Sequence, residues 1–210
     1  MLTTCAAGIL ACALLFQQRA GASGQIVCTL GPGATSYKPA TDQRPTSDAM
    51  QLAARLNAAV KLICADNCPG VMLFRNSTAA NAMLVAEGSQ VKLVYSPQFF
   101  ASVHDGFGDA GIVAIIAHEL GHALDDAMGA AWIQSKWTPE LRADAWAGCA
   151  LAKSNLNPRE MEAALGALSK YPSPSHPGWN VRQPAIRAGY AGCGGHGEKF
   201  NSGNRGSNKR

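Results

Sequence analysis

The apolar positions in the first half of the chain predict one helix followed by a small sheet. Between residues 49 and 63 they recur every three or four residues, behind Thr46 or Ser47 as the N-cap. This spacing is typical of a helix with one buried face. Residues 66–70 form a polar segment with proline and glycine, which is expected to end the helix.

Three short segments after this helix have the composition of strands. Residues 71–74 are apolar throughout, and residues 81–86 and 91–95 flank a polar turn at 87–90. The pattern predicts one short buried strand and a hairpin. We therefore expect a small antiparallel sheet before the next helix.

A second apolar run predicts a helix that is buried on most sides. Residues 111–117 are apolar or small, and Leu120, Ala123 and Leu124 continue the pattern at helical spacing. Gly129 is expected to end this helix, because glycine readily takes the left-handed conformation of a C-terminal cap.

Helix-start signals mark the rest of the chain. Thr138 and Asn157 are each followed by proline, which predicts helices over about residues 138–153 and 157–171. A last helical stretch is expected at about 182–191. The fold class predicted from the whole pattern is α+β, mainly helical, with the small sheet beside the helix at 111–124.

The composition indicates one compact domain. The chain has 210 residues, of which 47% are hydrophobic and 15% charged, enough for a single substantial core. Most of the formal charge of +4 comes from the tail, where four cations face one acid, so nucleic-acid binding is not expected. We assign residues 23–193 to the domain and 194–210 to a disordered basic tail.

The N-terminus has the features of an export signal. An apolar run at residues 6–16 precedes Ala20, Gly21 and Ala22, a small-x-small pattern, although no lysine or arginine precedes the run. We predict a signal peptide at residues 1–22 and an exported protein, periplasmic or secreted. The run is too short to cross a bilayer, and no integral membrane span is expected.

Five cysteines follow this leader, and an exported protein is expected to oxidise them. Cys64 and Cys68 are close enough to bridge across one turn. Cys149 and Cys193 can tie two helices together, which leaves Cys28 free or differently paired. A metal site at the first pair is the less favoured alternative, since no other cysteine or histidine cluster accompanies it.

The motif His-Glu-Leu-Gly-His at residues 118–122 predicts a zinc site. Residues four apart lie on the same face of a helix, so His118 and His122 can bind one metal ion while Glu119 lies beside them. This is the HExxH pattern of metallopeptidases, in which the glutamate is the general base. Two core histidines beside an unrelated glutamate are the alternative, which the helical context disfavours.

A third ligand is expected from the next helix, because catalytic zinc sites usually have three protein ligands. Glu140 and Asp144 lie four residues apart on one face. We predict that Glu140 is the ligand and that Asp144 accepts a hydrogen bond from a ligating histidine. The alternative is a solvated helix start, where acids are common. One Zn²⁺ per chain is predicted.

Together these motifs resemble the gluzincin metallopeptidases, particularly the family of HtpX and the CAAX prenyl protease. The resemblance includes HExxH, the Glu-x-x-Ala-Asp segment at 140–144, Asn81 with Ala82, and His176 with Arg182 six residues later. It implies a zincin-like fold in which Asn81 and Ala82 lie on an edge strand that binds an extended peptide. It also implies that His176 and Arg182 lie near the catalytic centre.

The function predicted from these features is a zinc-dependent endopeptidase acting on exported or envelope proteins. Glu119 is expected to take the proton of a zinc-bound water, and Arg182 or His176 to stabilise the oxyanion. The expected partner is a protein or peptide substrate. The alternative is a non-catalytic zinc scaffold with a binding or chaperone-like role, which would not need Glu119. The sequence does not predict the oligomeric state.

Overall fold

The computed structural model describes residues 25–29, 37–87, 90–171 and 176–196. It is mainly helical with one small sheet, which confirms the α+β class. The predicted signal peptide at 1–22 lies outside the described residues, as do residues 197–210 of the predicted tail.

The first helix begins and ends where the sequence predicted. Helix α1 spans Ser47–Cys64, and the Thr46 side chain accepts a hydrogen bond from the main-chain N–H of Ala49. Leu56 and Val60 of its apolar face are buried in the main core. The helix therefore packs through the face that the spacing indicated.

Within the described residues the sheet has four strands: β1 (Gln25–Thr29), β2 (Val71–Arg75), β3 (Ala82–Glu87) and β4 (Gln90–Tyr95). Their order is β1-β3-β4-β2. The β3–β4 hairpin is antiparallel as predicted, but β2 pairs parallel with β4. The expectation of a purely antiparallel sheet was wrong. Strand β3 runs opposite to both β2 and β4, and because β4 lies between β2 and β3, it pairs with β2 in parallel.

Strand β1 was not predicted from the sequence, and it changes the position of β3. It pairs antiparallel with β3, from Gln25 opposite Ala86 to Thr29 opposite Met83. The prediction that the strand following Asn81 is an edge strand was therefore wrong. In this structure β3 has a neighbour on both sides, and β1 and β2 are the edges.

Helix α2, Pro97–Ala127, is the centre of the fold. Ser96 caps it through the N–H of Phe99, and Gly108 bends it with a φ of 62°. Its second half is buried almost continuously. The prediction that Gly129 ends it in a left-handed conformation was wrong: the C-cap is Met128, which is extended, and Gly129 has no positive φ.

Three further helices follow in the part of the chain that the structure describes: α3 (Pro139–Lys153), α4 (Pro158–Lys170) and α5 (Trp179–Gly192). Thr138 caps α3, and Asn157 forms the predicted capping box with Glu160 in α4. Helix α5 begins earlier than predicted and continues through Pro184, which lies inside the helix and removes one main-chain donor there.

Glycines allow α3 to approach both of its neighbours closely. A Cβ added to Gly121 of α2 would overlap the main chain of Ala143 in α3. Gly148 of α3 and Gly189 of α5 contact the main chain of the opposite helix in the same way. Because backbones touch at these points, the relative positions of α2, α3 and α5 are closely determined.

The structure contains the two cysteine pairs that the sequence favoured. Cys64 and Cys68 are joined at the end of α1, with their Cα atoms 4.9 Å apart. Cys149 in the middle of α3 is joined to Cys193 at the end of α5, with a Cα separation of 5.1 Å. The second bridge adds a covalent link to the α3–α5 packing.

Helix α2 is the one helix of the described residues that is long and apolar enough to cross a membrane. Half of its most apolar window is buried within the fold. The core helix of a soluble protein has the same length and composition, so this property is weak evidence for a span.

Candidate metal centre

The HExxH residues lie on the buried part of α2. His118 and Glu119 are fully buried and His122 is 5% exposed. The two rings lie one turn apart, with their centroids 5.1 Å apart. Gly121, between them, faces the main chain of α3, so the motif lies directly at the α2–α3 interface.

The structure brings Glu140 to both histidines. Glu140 is in the first turn of α3, and its Oε2 lies 3.4 Å from Nε2 of His118 and 3.6 Å from Nε2 of His122. One ligand atom from each of the three residues lies within 4.8 Å of the others. His118, His122 and Glu140 therefore form a cluster that can hold a metal ion.

An unpaired nitrogen of this cluster is better explained by a metal site than by a closed hydrogen-bond network. Nε2 of His122 is buried and has no hydrogen bond within the described part of the chain. A buried polar atom without a partner is costly, and a cation between His122 and Glu140 would provide one. Two imidazole nitrogens and a carboxylate oxygen form a donor set that zinc accepts, with a fourth position left for water.

Asp144 lies behind His118, one helical turn after Glu140. Its Oδ1 is 2.9 Å from Nδ1 of His118 and also accepts a hydrogen bond from Nη2 of Arg182 at 2.7 Å. Its Oδ2 accepts from Nε of Arg182 at 2.8 Å. Since a carboxylate only accepts, Nδ1 of His118 carries a proton, and Nε2 is the nitrogen that can bind a metal ion once it loses its own proton.

Arg182 is buried on the far side of Asp144. Besides its two bonds to that carboxylate, it donates from Nη1 to the carbonyl oxygen of Leu168 at 2.8 Å. These contacts tie α5 to α3 and to the end of α4. The structure thus brings Arg182 close to the centre, as the resemblance implied, and its contacts lead to His118 through Asp144.

The charges of this cluster support one another. Burial disfavours charge on all three side chains, but mutual hydrogen bonds outweigh it. They raise the pKa of His118 to about 9 and lower the pKa values of Asp144 and Glu140 below their ordinary range. His118 is therefore held between two carboxylates, and a divalent cation would replace its proton.

Glu119 has the opposite surroundings. Burial raises its pKa to about 7, against the attraction of His118 and His122. Neither carboxylate oxygen has a well-formed hydrogen bond within the described residues, although the main-chain N–H of Leu84 lies beside it and favours the charged form. Glu119 is therefore a buried carboxylate that exchanges a proton near neutrality.

His176 joins the cluster from the loop before α5. Its Nε2 lies 2.8 Å from Oε2 of Glu140 and 3.0 Å from Nε2 of His118. Burial lowers its pKa, and the contact with Glu140 opposes this effect. The sequence predicted His176 near the centre, and the structure places it there.

Asn81 and Ala82 lie where β3 begins, and both are buried. The carbonyl of Asn81 accepts a hydrogen bond from Ser96, while its side-chain Oδ1 has no partner among the described residues. Ala82 packs in the main core. Among the described residues, no hydrogen bond links either side chain to the histidine cluster. Their predicted contact with a substrate stays a prediction.

Sequence reasoning missed two main-chain features of the site. One is the N–H of Leu84 beside Glu119, which no side-chain pattern encodes. The other is strand β1, for which the β-branched residues Ile26, Val27 and Thr29 were an available signal.

The arrangement combines a trio that can hold a metal ion with a buried carboxylate of near-neutral pKa. A group of this kind can accept a proton from a water molecule and return it within one reaction cycle. Comparison of the chain with family models, curated proteins and solved structures finds no match.

Proposed function

We propose that this chain is a zinc-dependent endopeptidase of the gluzincin type, similar to the HtpX and CAAX prenyl protease family. The observation that carries the proposal is the placement of Glu119 beside His118, His122 and Glu140. A metal-binding scaffold needs only the trio, whereas hydrolysis also needs a base at that point. The gluzincin assignment is supported by Glu140, a glutamate ligand from the helix that follows HExxH.

Zinc is the metal that this donor set favours, since borderline nitrogen ligands outnumber the single oxygen ligand. A zinc ion at such a site polarises a carbonyl group and makes water acidic enough to attack near neutral pH. His118, His122 and Glu140 would hold the ion. Asp144 would fix the tautomer of His118, and Arg182 would hold Asp144.

Glu119 acts as the general base and then as the general acid in this proposal. It takes a proton from the attacking water and later gives it to the nitrogen of the leaving amine. Burial raises the pKa of Glu119 in the metal-free chain, which makes the protonated form that returns the proton more accessible. Burial in a site without competing hydrogen bonds keeps both oxygens available.

His176 is better placed than Arg182 to contact a substrate. Its Nε2 reaches the edge of the cluster, where it can donate to an oxyanion on the substrate carbonyl. Arg182 is a positioning residue in this account, since its contacts run through Asp144 and Leu168. The proposed substrates are extended segments of exported or envelope proteins, in keeping with the expected leader and the two disulfides.

The experiment compares wild type with Glu119→Gln. We expect the variant to retain one zinc per chain and its fold, but to cleave an unfolded protein about 10²- to 10⁴-fold more slowly, the usual contribution of a general base. Chelation should abolish cleavage by wild type. Glu162→Gln, the same change at an exposed position of α4, is the matched control and should cleave like wild type. Equal cleavage by Glu119→Gln would contradict the proposed base.

The scaffold alternative predicts a different result from the same experiment. Zinc-loaded wild type would then bind unfolded proteins without cleaving them, and Glu119→Gln would bind them equally well. Cleavage products, identified by mass spectrometry, therefore separate the two functions.

A further inference from the structure

Strand β1 pairs along the side of β3 that faces the candidate centre. In an antiparallel strand, main-chain groups point alternately to the two neighbours. The N–H of Ser96 donates to the carbonyl of Asn81, so at Asn81, Met83 and Val85 the main chain points towards β4. At Leu84 it must therefore point to the opposite side, where β1 lies.

That same side is where Glu119 lies. The N–H of Leu84 is the main-chain group beside the Glu119 carboxylate, and Leu84 is the residue opposite Cys28 of β1. The register of β1 shifts between Ile26 and Cys28, so the strand bulges at the pair next to the proposed base. The main chain of β1 thus runs past the position at which hydrolysis would occur.

An extended peptide could reach this position by the same pairing. Hydrolysis requires the scissile carbonyl to lie beside Glu119 and the metal, and peptides commonly bind by adding a strand to an available sheet edge. The β4 side of β3 is already paired, so the side that faces Glu119 is the one at which a strand can be added. Strand β1 already lies there.

We propose that β1 is an autoinhibitory strand, which occupies the place of a peptide substrate along β3 and must leave before cleavage. This inference rests on the proposed function, because it assigns a regulation to the same site. The strand has five residues and pairs, among the described residues, with β3 alone, so few main-chain hydrogen bonds hold it. If the expected leader ends at Ala22, the new N-terminus lies only two residues before Gln25, which allows the strand to detach from one end.

The first test weakens β1 in the mature, zinc-loaded chain by removing one main-chain donor. Cys28→Pro removes an N–H that faces β3. Thr29→Pro is the matched control. Thr29 lies opposite Met83, whose main chain points to β4, so the N–H that this change removes does not face β3. Cys28→Ser controls for loss of the thiol. We expect Cys28→Pro to raise kcat/KM by about tenfold over both controls, because the fraction of molecules with a free edge sets the apparent affinity.

The second test locks β1 in place. Thr29 and Met83 face each other in register, so Thr29→Cys with Met83→Cys, in a Cys28→Ser background, can form a disulfide between the strands. We expect the oxidised form to lose about nine-tenths of its activity and to regain it under mild reduction. The Cys28→Ser chain, treated in the same way, controls for the native disulfides.

Binding of a peptide hydroxamate, a probe that chelates zinc and extends as a strand, is measured in parallel. It should be tighter in Cys28→Pro and weaker in the locked form. Unchanged binding and cleavage in both variants would overturn the inference and leave the proposed function standing. Zinc-loaded chains that never cleave would refute the proposed function, while the change in probe binding would still decide whether β1 blocks the edge. A chain that binds no zinc would remove both, and metal analysis identifies that case.

Discussion

Two carboxylates of the α2–α3 interface, the buried Glu119 and the partly buried Glu140, have opposite surroundings. Glu140 contacts His118, His122 and His176, and these contacts lower its pKa far below the ordinary range despite partial burial. Glu119 has no well-formed hydrogen bond among the described residues, and burial raises its pKa to about 7. A glutamate is therefore charged at position 140 and titratable near neutral pH at position 119.

This difference indicates how one cluster can divide two tasks. A metal ligand should stay deprotonated at every working pH, as Glu140 does, whereas a base must gain and lose a proton. Pairs of titratable groups whose pKa values are pushed apart are typical of acid–base sites.

The largest effect is expected from removing the ligand. Glu140→Gln should lose most bound zinc and, with it, all measurable cleavage, since a neutral amide is a poor zinc ligand and leaves only two histidines. Glu119→Gln should lose cleavage alone. Zinc content after dialysis, measured on both variants, checks the division; equal zinc in the two would contradict it.

Glu119 should also make the metal-free chain less stable as the pH rises. Its pKa in the folded chain, about 7, is above the ordinary value of 4.5, so the folded state binds the proton more tightly. The free-energy cost of ionising Glu119 in the folded chain is absent below about pH 4.5, grows as the pH rises, and reaches its full value above about pH 7.

The variant Glu119→Gln removes this cost. After chelation, its free energy of unfolding relative to wild type should increase by roughly 3 kcal/mol between about pH 5 and about pH 8. Urea unfolding at the two pH values measures the change, and any constant effect of the amide cancels. A difference that does not vary with pH would show that burial leaves Glu119 unperturbed.

Asp144 should affect zinc affinity without binding zinc. In Asp144→Asn the hydrogen bond to His118 loses its charge and the buried Arg182 loses its counter-ion, so we expect zinc affinity to fall about 10- to 100-fold. Competition with a chromophoric chelator measures this. The pH dependence of cleavage at saturating zinc should keep its shape, because Glu119 is untouched.

The smallest effect is expected at an ion pair between the same two helices that lies closer to solvent. Nε of Arg142 donates to Oδ2 of Asp125 at 2.7 Å, with the arginine side chain 31% exposed. Asp125→Asn should lower the free energy of unfolding by less than about 1 kcal/mol. Zinc affinity should not change. A large loss of zinc would mean that this pair, rather than the buried network, holds α3 in place.

Local sequence rules predicted the residues of the site because their spacing follows helix geometry. His118 with His122, and Glu140 with Asp144, each lie one turn apart, and Thr138 with Pro139 located the helix start that presents Glu140. The close approach of α2 and α3 depends on Gly121 meeting the main chain of Ala143, a tertiary contact that periodicity does not encode.

Long-range pairing accounts for what the sequence did not predict. The parallel alignment of β2 depends on β4 inserting beside it, and the burial of β3 depends on β1, more than fifty residues away in sequence. The contacts of Arg182 with Asp144 likewise required the packing of α5 on α3. In each case the residue types were compatible with several partners, and the tertiary fold selected one.

Anomalous diffraction at the zinc edge, on crystals of the zinc-loaded chain, tests the central claim most directly. We predict one zinc ion per chain, with Nε2 of His118 and His122 at about 2.0–2.1 Å and an oxygen of Glu140 at about 2.0–2.2 Å. Zinc bound elsewhere, or a Glu140 carboxylate outside coordination distance, would contradict the account.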